Sequence, residues 1–189
     1  VPGVAIRATR TISFGLAQPG LYCYPGAAYA GEVVVNGIGF PPALLDNSSL
    51  ILEMLDDRQA GQWLPSRPAT AHKGSAGHLL VIGGAPGMTG APVLTALGAL
   101  RSGCGLVTIG AREPGLLTGK PVEVMTAIWT EALARPDRYK GAVFGPGLSV
   151  AADGRQFLLE LLKIAQWPLV IDADGLNLLG ENPEWLATS

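Results

Sequence analysis

The chain has 189 residues, of which 48% are hydrophobic and 15% charged, so it has the apolar material for a real core and too little charge for disorder. A formal net charge of −2 gives no positive field to hold a phosphate backbone, which excludes nucleic acid and favours small ligands. Cys23 and Cys104 have neither disulfide-framework nor zinc spacing, which fits a reducing, cytoplasmic setting, and the apolar runs are too short and too interrupted for a membrane span or signal peptide.

In chain order, residues 1 to about 42 read as β-rich. Val4 to Phe14 and Ala30 to Val35 are Ile-, Thr- and Val-rich runs, and Pro-Gly turns fill Gln18 to Gly26 between them. Two strands alone are a marginal unit, so they read as the last edge of a larger sheet. Leu50 to Leu55 and Asp56 to Trp63 suggest one or two short helices, and the prolines of Leu64 to Ala71 mark a linker.

Beyond the linker the pattern alternates. His78 to Ile82 is an apolar strand, Pro92 to Arg101 a helix with Val93, Leu94, Leu97 and Leu100 on one face, and Leu106 to Ile109 a second strand. Gly141 to Phe144, Asp153 to Gln166 and Leu169 to Ile171 repeat the unit, the helix burying Phe157, Leu158, Leu161, Leu162 and Ala165. Strand-helix-strand repetition specifies a parallel α/β sheet.

In such a sheet the residues after each strand share one ligand-binding edge. They are Gly83 to Ala91, Gly110 to Glu113, Gly145 to Ser149 and Asp172 to Asn177. Glycine turns entering helix N-termini suit anions, because bare backbone N–H groups can approach the ligand. Gly83 to Ala91 lacks both the G-x-G-x-x-G and the P-loop spacing, and on its residues alone tight packing and ligand binding stand equal. Asp172 and Asp174 suit a metal or a hydroxyl, or simply a helix cap, and Asn177 shares the ambiguity. His72 and Lys73 could reach a phosphate but read more readily as a solvated linker pair, His78 as structural, and the four tryptophans as packing residues.

Taken together, His72-Lys73-Gly74-x-x-Gly77-His78, Gly83-Gly84-x-x-Gly87-Met88-Thr89-Gly90-Ala91, Ala99 to Thr108, Val122 to Met125, Gly145-Pro146-Gly147-Leu148 and Asp172-Ala173-Asp174-Gly175-Leu176-Asn177 closely resemble the ADP/ATP-dependent NAD(P)H-hydrate dehydratase family. Arg7 to Gly15, Pro19-Gly20 and Tyr29 to Val35 with Ile38 to Pro41 look like the final strands of the NAD(P)H-hydrate epimerase domain, which precedes the dehydratase in a bifunctional repair enzyme. The resemblance implies residues 1–48 as the end of a Rossmann-like epimerase domain, 49–71 as a connecting helix and Pro-rich linker, and 72–189 as the first half of a ribokinase-like dehydratase domain.

It also implies a lyase. ADP or ATP, with Mg2+ expected, phosphorylates the hydroxyl of (6S)-NAD(P)H hydrate, and loss of phosphate restores NAD(P)H. Gly84, Gly87, Thr89, Gly90 and Ala91 of the first turn, with Gly145 and Gly147 of the second, would be the substrate-binding residues. Asp172, Asp174 and Asn177 would lie at the same edge with no individual roles assigned. The glycine-threonine-glycine-aspartate motif that carries the family's base has no counterpart before Ser189, so no catalytic residue is named and this chain alone is expected to be inactive. Alternatives are a ribokinase-like small-molecule kinase and an incomplete protein that only binds a dinucleotide. An incomplete sheet exposes an edge, so homo-oligomerisation or association is expected.

Overall fold

The computed structural model describes residues 3–46, 49, 52–64 and 66–188, so Leu50, Ile51 and Pro65 of the expected helix and linker lie outside the described residues. The chain divides into two compact units between Ser66 and Arg67.

In the first unit β1 (Arg10–Phe14) and β2 (Glu32–Asn36) pair in parallel, Arg10 opposite Glu32. Their side chains form an exposed ion pair at 2.7 Å. The expected strand from Val4 is irregular up to Thr9. The connection between β1 and β2 contains two single-turn helices, α1 (Pro19–Tyr22) within the Pro-Gly turns and α2 (Ala27–Ala30), which takes in the first residue of the expected second strand; in α1 Pro19 presets the first helical φ and Cys23 N–H closes the turn on Pro19 O at 2.9 Å. After α3 (Pro42–Leu45), residues 52–55 are irregular where a helix was expected. The helix α4 (Asp57–Trp63) starts instead at a capping box, in which Asp56 accepts from Gln59 N–H and the Gln59 side chain accepts from Asp56 N–H.

The second unit is a five-stranded, all-parallel sheet in the order β5-β4-β3-β6-β7, built from β3 (His78–Ile82), β4 (Leu106–Ala111), β5 (Val124–Ile128), β6 (Gly141–Phe144) and β7 (Leu169–Ile171). β5 was not anticipated as a strand. Alternation along β3 sorts the core into two layers. Leu80 and Ile82 join Phe144, Leu148, Phe157, Leu158 and Leu161 on one face, and Val81 joins Ala96, Val107, Ile109 and Val124 on the other. Fully burying a Leu, Ile or Phe side chain contributes roughly 1.5–3 kcal/mol, so these layers dominate the unit's stability.

α5 (Gly90–Arg101) covers the second face, and α6 (Trp129–Leu133), α7 (Ala152–Ile164) and α8 (Asp174–Gly180) contribute to the first. α7 buries Gly154, Phe157, Leu158 and Leu161, a helical stripe close to the expected one. α5 keeps part of the expected face, since Val93 and Leu100 pack against the second core layer. Pro92 and Ala96 are its buried residues, whereas Leu94 points to solvent. It ends at Gly103, whose φ of +106° lets Cys104 N–H reach Ala99 O at 2.9 Å and Gly103 N–H reach Leu100 O at 3.1 Å, a closed Schellman turn.

The chain leaves β3 for β4 and β5 on one side, then returns to lay β6 and β7 on the other. β3 and β6 therefore flank the topological switch point, where loops diverge to opposite faces and where ligands of open α/β sheets bind.

Candidate functional site

Four segments meet at the carboxyl edge of the sheet, and the first two flank the switch point. They are the β3-α5 loop, the β6-α7 loop, the end of β4 and the β7-α8 turn. The two glycine turns are locked to each other through backbone. Gly84 and Ala85 N–H both donate to Gly147 O, at 3.0 and 2.7 Å, and Gly83 N–H donates to Gly110 O at 3.2 Å. A Cβ on Gly147 would run into Met88 O, and one on Gly83 into Pro146 O. Gly145, at φ +119°, makes the third approach, since a Cβ there would strike Asp172 O. Glycine is needed because three backbones come closer than any side chain allows.

This separates the expected substrate residues. Gly84, Gly145 and Gly147 are buried packing positions, and the donors of Gly84 and Ala85 are already used. Gly87 and Gly90 are exposed with open space around them, and Thr89 and Ala91 are half-buried. Thr89 caps α5 with no side-chain hydrogen bond, so the first turn of the helix has no capping oxygen on its N–H groups. The part of the loop able to face an anion is therefore Gly87 to Ala91.

Asp174 holds the edge together. Its Oδ2 accepts from Ser149 N–H at 2.8 Å and its Oδ1 accepts from Asn177 Nδ2 at 3.3 Å. Ser149 sits at φ +67° and Ala173 at φ +48°, sparsely populated conformations for residues with a Cβ, and the Asp174 bond secures the first. Asp172 is exposed and carries no side-chain hydrogen bond or ion pair among the described residues.

Arg112 was passed over in the sequence. Its Nη1 donates to Leu148 O at 2.8 Å, its Nη2 to Asp153 Oδ1 at 2.7 Å and its Nε to Asp153 Oδ2, while its guanidinium lies over the Trp129 ring. The Trp129 ring in turn stacks on Phe157 at 4.4 Å. The hydrogen bond and charge of Arg112 hold the Asp153 carboxyl below its ordinary range, against the opposing effect of burial.

His72 and Lys73 precede β3 and thus lie at the sheet's amino edge, away from these loops. His78 is buried, with Nε2 2.8 Å from Thr108 Oγ1 and the Tyr139 ring edge-on at 4.8 Å. Desolvation, aided by the Arg138 cation, depresses its pKa, and burial raises that of Tyr139. No trio of His, Cys, Asp or Glu able to hold a metal occurs among the described residues. No helix of the described residues is long and apolar enough to cross a membrane.

The model of the NAD(P)H-hydrate dehydratase family matches residues 79–189. The chain is 36% identical over 192 residues to a bifunctional NAD(P)H-hydrate repair enzyme of Moorella thermoacetica, covering 94% of this chain and 36% of the relative. The chain thus spans little more than a third of the length of the curated relatives it matches. Among solved structures it is similar to the ADP/ATP-dependent NAD(P)H-hydrate dehydratase of Bacillus subtilis crystallised with ATP and Mg2+, with 31% identity and a TM-score of 0.54 over 63% of this chain and 45% of that one. A ribokinase-like superfamily protein of Enterococcus faecalis superposes with 26% identity and a TM-score of 0.58 over 64% of this chain and 45% of that one. The sheet and its helices are thus a ribokinase-like α/β fold.

Proposed function

We propose, from the premise that the chain belongs to the NAD(P)H-hydrate dehydratase family, that it supplies the substrate side of a cofactor-repair lyase. The observation that carries the reading is the locking of Gly83 to Ala91 against Gly145 to Ser149 at the switch point. Residues 1–48 are assigned to the end of an epimerase domain, 49–71 to the connection and 72–189 to the first part of the dehydratase domain. The repair enzyme name carried by the relatives supports this division. In the parent protein the first domain would interconvert the R and S hydrates.

The reaction needs a hydroxyl held still while a phosphoryl group reaches it. The hydrate's hydroxyl oxygen attacks the terminal phosphorus of ADP or ATP as its proton passes to solvent. The shortened nucleotide leaves, then phosphate departs as a proton is lost from the neighbouring carbon, and the ring double bond of NAD(P)H returns. The locked turns form a floor that does not rearrange, which turns binding into positioning. Gly87, Thr89, Gly90 and Ala91 present the free end of α5 to the dinucleotide's phosphates. Gly84, Gly145 and Gly147 shape that floor by packing, and Asp174 with Asn177 fixes its rim.

Mg2+ in phosphoryl-transfer sites is held by one or two carboxylates and the nucleotide itself, and Asp172 is an exposed carboxylate at this edge without a side-chain partner among the described residues. It would hold the ion, which supplies charge neutralisation on the nucleotide's phosphates. Free cysteines Cys23 and Cys104 fit a cytoplasmic home.

The test is ADP- or ATP-dependent recovery of NADH from its hydrate, measured on this chain and on the same chain extended through the remainder of the dehydratase domain. Recovery by the extended protein, with little or none by the 189 residues alone, is expected. An extended protein that instead leaves a stable phosphorylated product belongs with the small-molecule kinases, and one that does neither overturns the reading.

A further inference from the structure

The motif His72-Lys73-Gly74 has no part in the carboxyl-edge site, since it opens the amino end of β3. It nevertheless lines a cavity of about 240 Å3 together with Arg67, Cys104 and Gly105. We propose that this cavity, at the amino ends of β3 and β4, is a binding site for a phosphate-class oxyanion, read by Arg67, His72 and Lys73. The inference stands apart from the dehydratase reading and survives its failure.

The charge is one-sided. Arg67 and Lys73 line the cavity and no carboxylate does, in a chain whose acidic residues outnumber its Lys and Arg, 15 to 13. Lys73 makes no hydrogen bond or ion pair among the described residues. Arg67 Nη2 donates to Gly103 O, which leaves the opposite side of the guanidinium fork for a second acceptor. His72 Nδ1 accepts from the N–H groups of Gly74 and Ser75, at 3.2 and 3.3 Å, so its ring proton is on Nε2 and serves as a donor. A forked donor, an ammonium and an imidazole N–H around one cavity form a set suited to a tetrahedral oxyanion.

The frame is preorganised. His72 N–H donates to Ser75 Oγ at 3.0 Å, Ser75 Oγ–H to His72 O at 2.8 Å, and Ser75 and Ala76 N–H also reach His72 O. Gly105 N–H donates to Ala76 O at 3.1 Å, and a Cβ on Gly105 would strike Lys73 O, so the turn is pressed onto the start of β4. The carboxyl end of α5 approaches here, and its dipole alone would repel an anion. That effect is offset, because the Ala99 and Leu100 carbonyls are closed by the Schellman turn and Gly103 O by Arg67. The volume admits inorganic phosphate with water or a small phosphate monoester.

The test titrates inorganic phosphate against the protein at constant ionic strength, chloride replacing it, by calorimetry and by the melting midpoint. Saturable binding is expected, with at least a tenfold loss of affinity in Lys73→Gln and a complete loss in Lys73→Glu. Both variants should melt normally without phosphate, because Lys73 supports no described contact. In a Cys23→Ser background, phosphate should also slow alkylation of Cys104, a residue of the cavity lining whose Sγ donates to Leu106 O at 3.1 Å. Glycerol phosphate run in parallel identifies the source. Equal binding indicates the phosphate end of a metabolite, and binding of inorganic phosphate alone indicates the free ion. No saturable effect beyond chloride, or unchanged phosphate affinity in Lys73→Glu, overturns the proposal.

Discussion

Arg112 and Trp129 form a cation–π pair, the guanidinium carbon 4.5 Å from the ring centroid, with the Arg112 side chain only 20% exposed. Because the same guanidinium holds Leu148 O and Asp153, it ties the end of β4 to the turn after β6 and to the first residues of α7.

Arg112→Ala leaves Leu148 O without its donor and removes the ring contact, and we expect a loss of about 1–3 kcal/mol. Arg112→Lys should recover little, because one ammonium cannot replace the fork. The Asp153 carboxylate is half exposed, so water screens the ion pair, and a double-mutant cycle with Asp153→Asn should give a coupling below about 1 kcal/mol. Denaturant midpoints of the four proteins decide this, and an unchanged midpoint in Arg112→Ala counts against the tie.

Gly145→Ala sets a methyl against Asp172 O at φ +119°, and a loss of roughly 2–4 kcal/mol is expected from strain and collision together. Gly87→Ala meets open space, so only its positive φ of +79° penalises it, by about 1–2 kcal/mol. Thermal melts of the pair read the contrast. Equal losses would mean that the three backbones do not approach as closely as the glycines imply.

The two aspartates should separate function from stability. Asp174→Ala strips the acceptor from Ser149 N–H, and a loss of about 1–2 kcal/mol is expected. Asp172→Asn should leave the denaturation midpoint unchanged while reducing nucleotide-dependent recovery of NADH in the extended protein. Full turnover by Asp172→Asn removes that residue from the proposed site.

His78 predicts the direction of pH dependence. Its folded pKa lies below its ordinary value of 6.5, chiefly through desolvation and secondarily through Arg138. Between the two values the unfolded chain binds a proton that the folded protein refuses. Stability is therefore full above about pH 6.5 and falls as pH drops toward the folded value, by at most ~1.4 kcal/mol per pH unit. His78→Gln should flatten that slope in guanidinium titrations run across the range, and an identical slope in the variant assigns the effect elsewhere.

Much of this was legible where sequence and packing agree. β3, β6 and β7 have the expected limits, because short apolar runs bounded by glycine or proline leave little choice of register. β5 escaped notice since an edge strand pairs on one side only, and of its residues Val124 alone is buried, too weak an alternation to read. On α5 Val93 and Leu100 pack as expected, but Leu94 was misplaced because Gly90 to Leu100 is apolar or small nearly all round, so no polar stripe sets the phase, and Leu94 faces solvent at 71% exposure. Arg112 was hidden for a different reason. Its partners Leu148 and Asp153 lie 36 and 41 residues away, beyond any local spacing, and only the closing of the sheet brings them together.

A single carbonyl, that of Gly147, accepts both N–H groups at the head of the β3-α5 loop. Opening that loop requires breaking two bonds at once and parting connections that run to opposite faces of the sheet. The amides of Gly84 and Ala85 should therefore exchange with deuterium on the timescale of the central strands rather than of the surface, while Gly87, three residues on, exchanges almost at once. The boundary between the slow part of the protein and the fast part would then fall inside the loop itself.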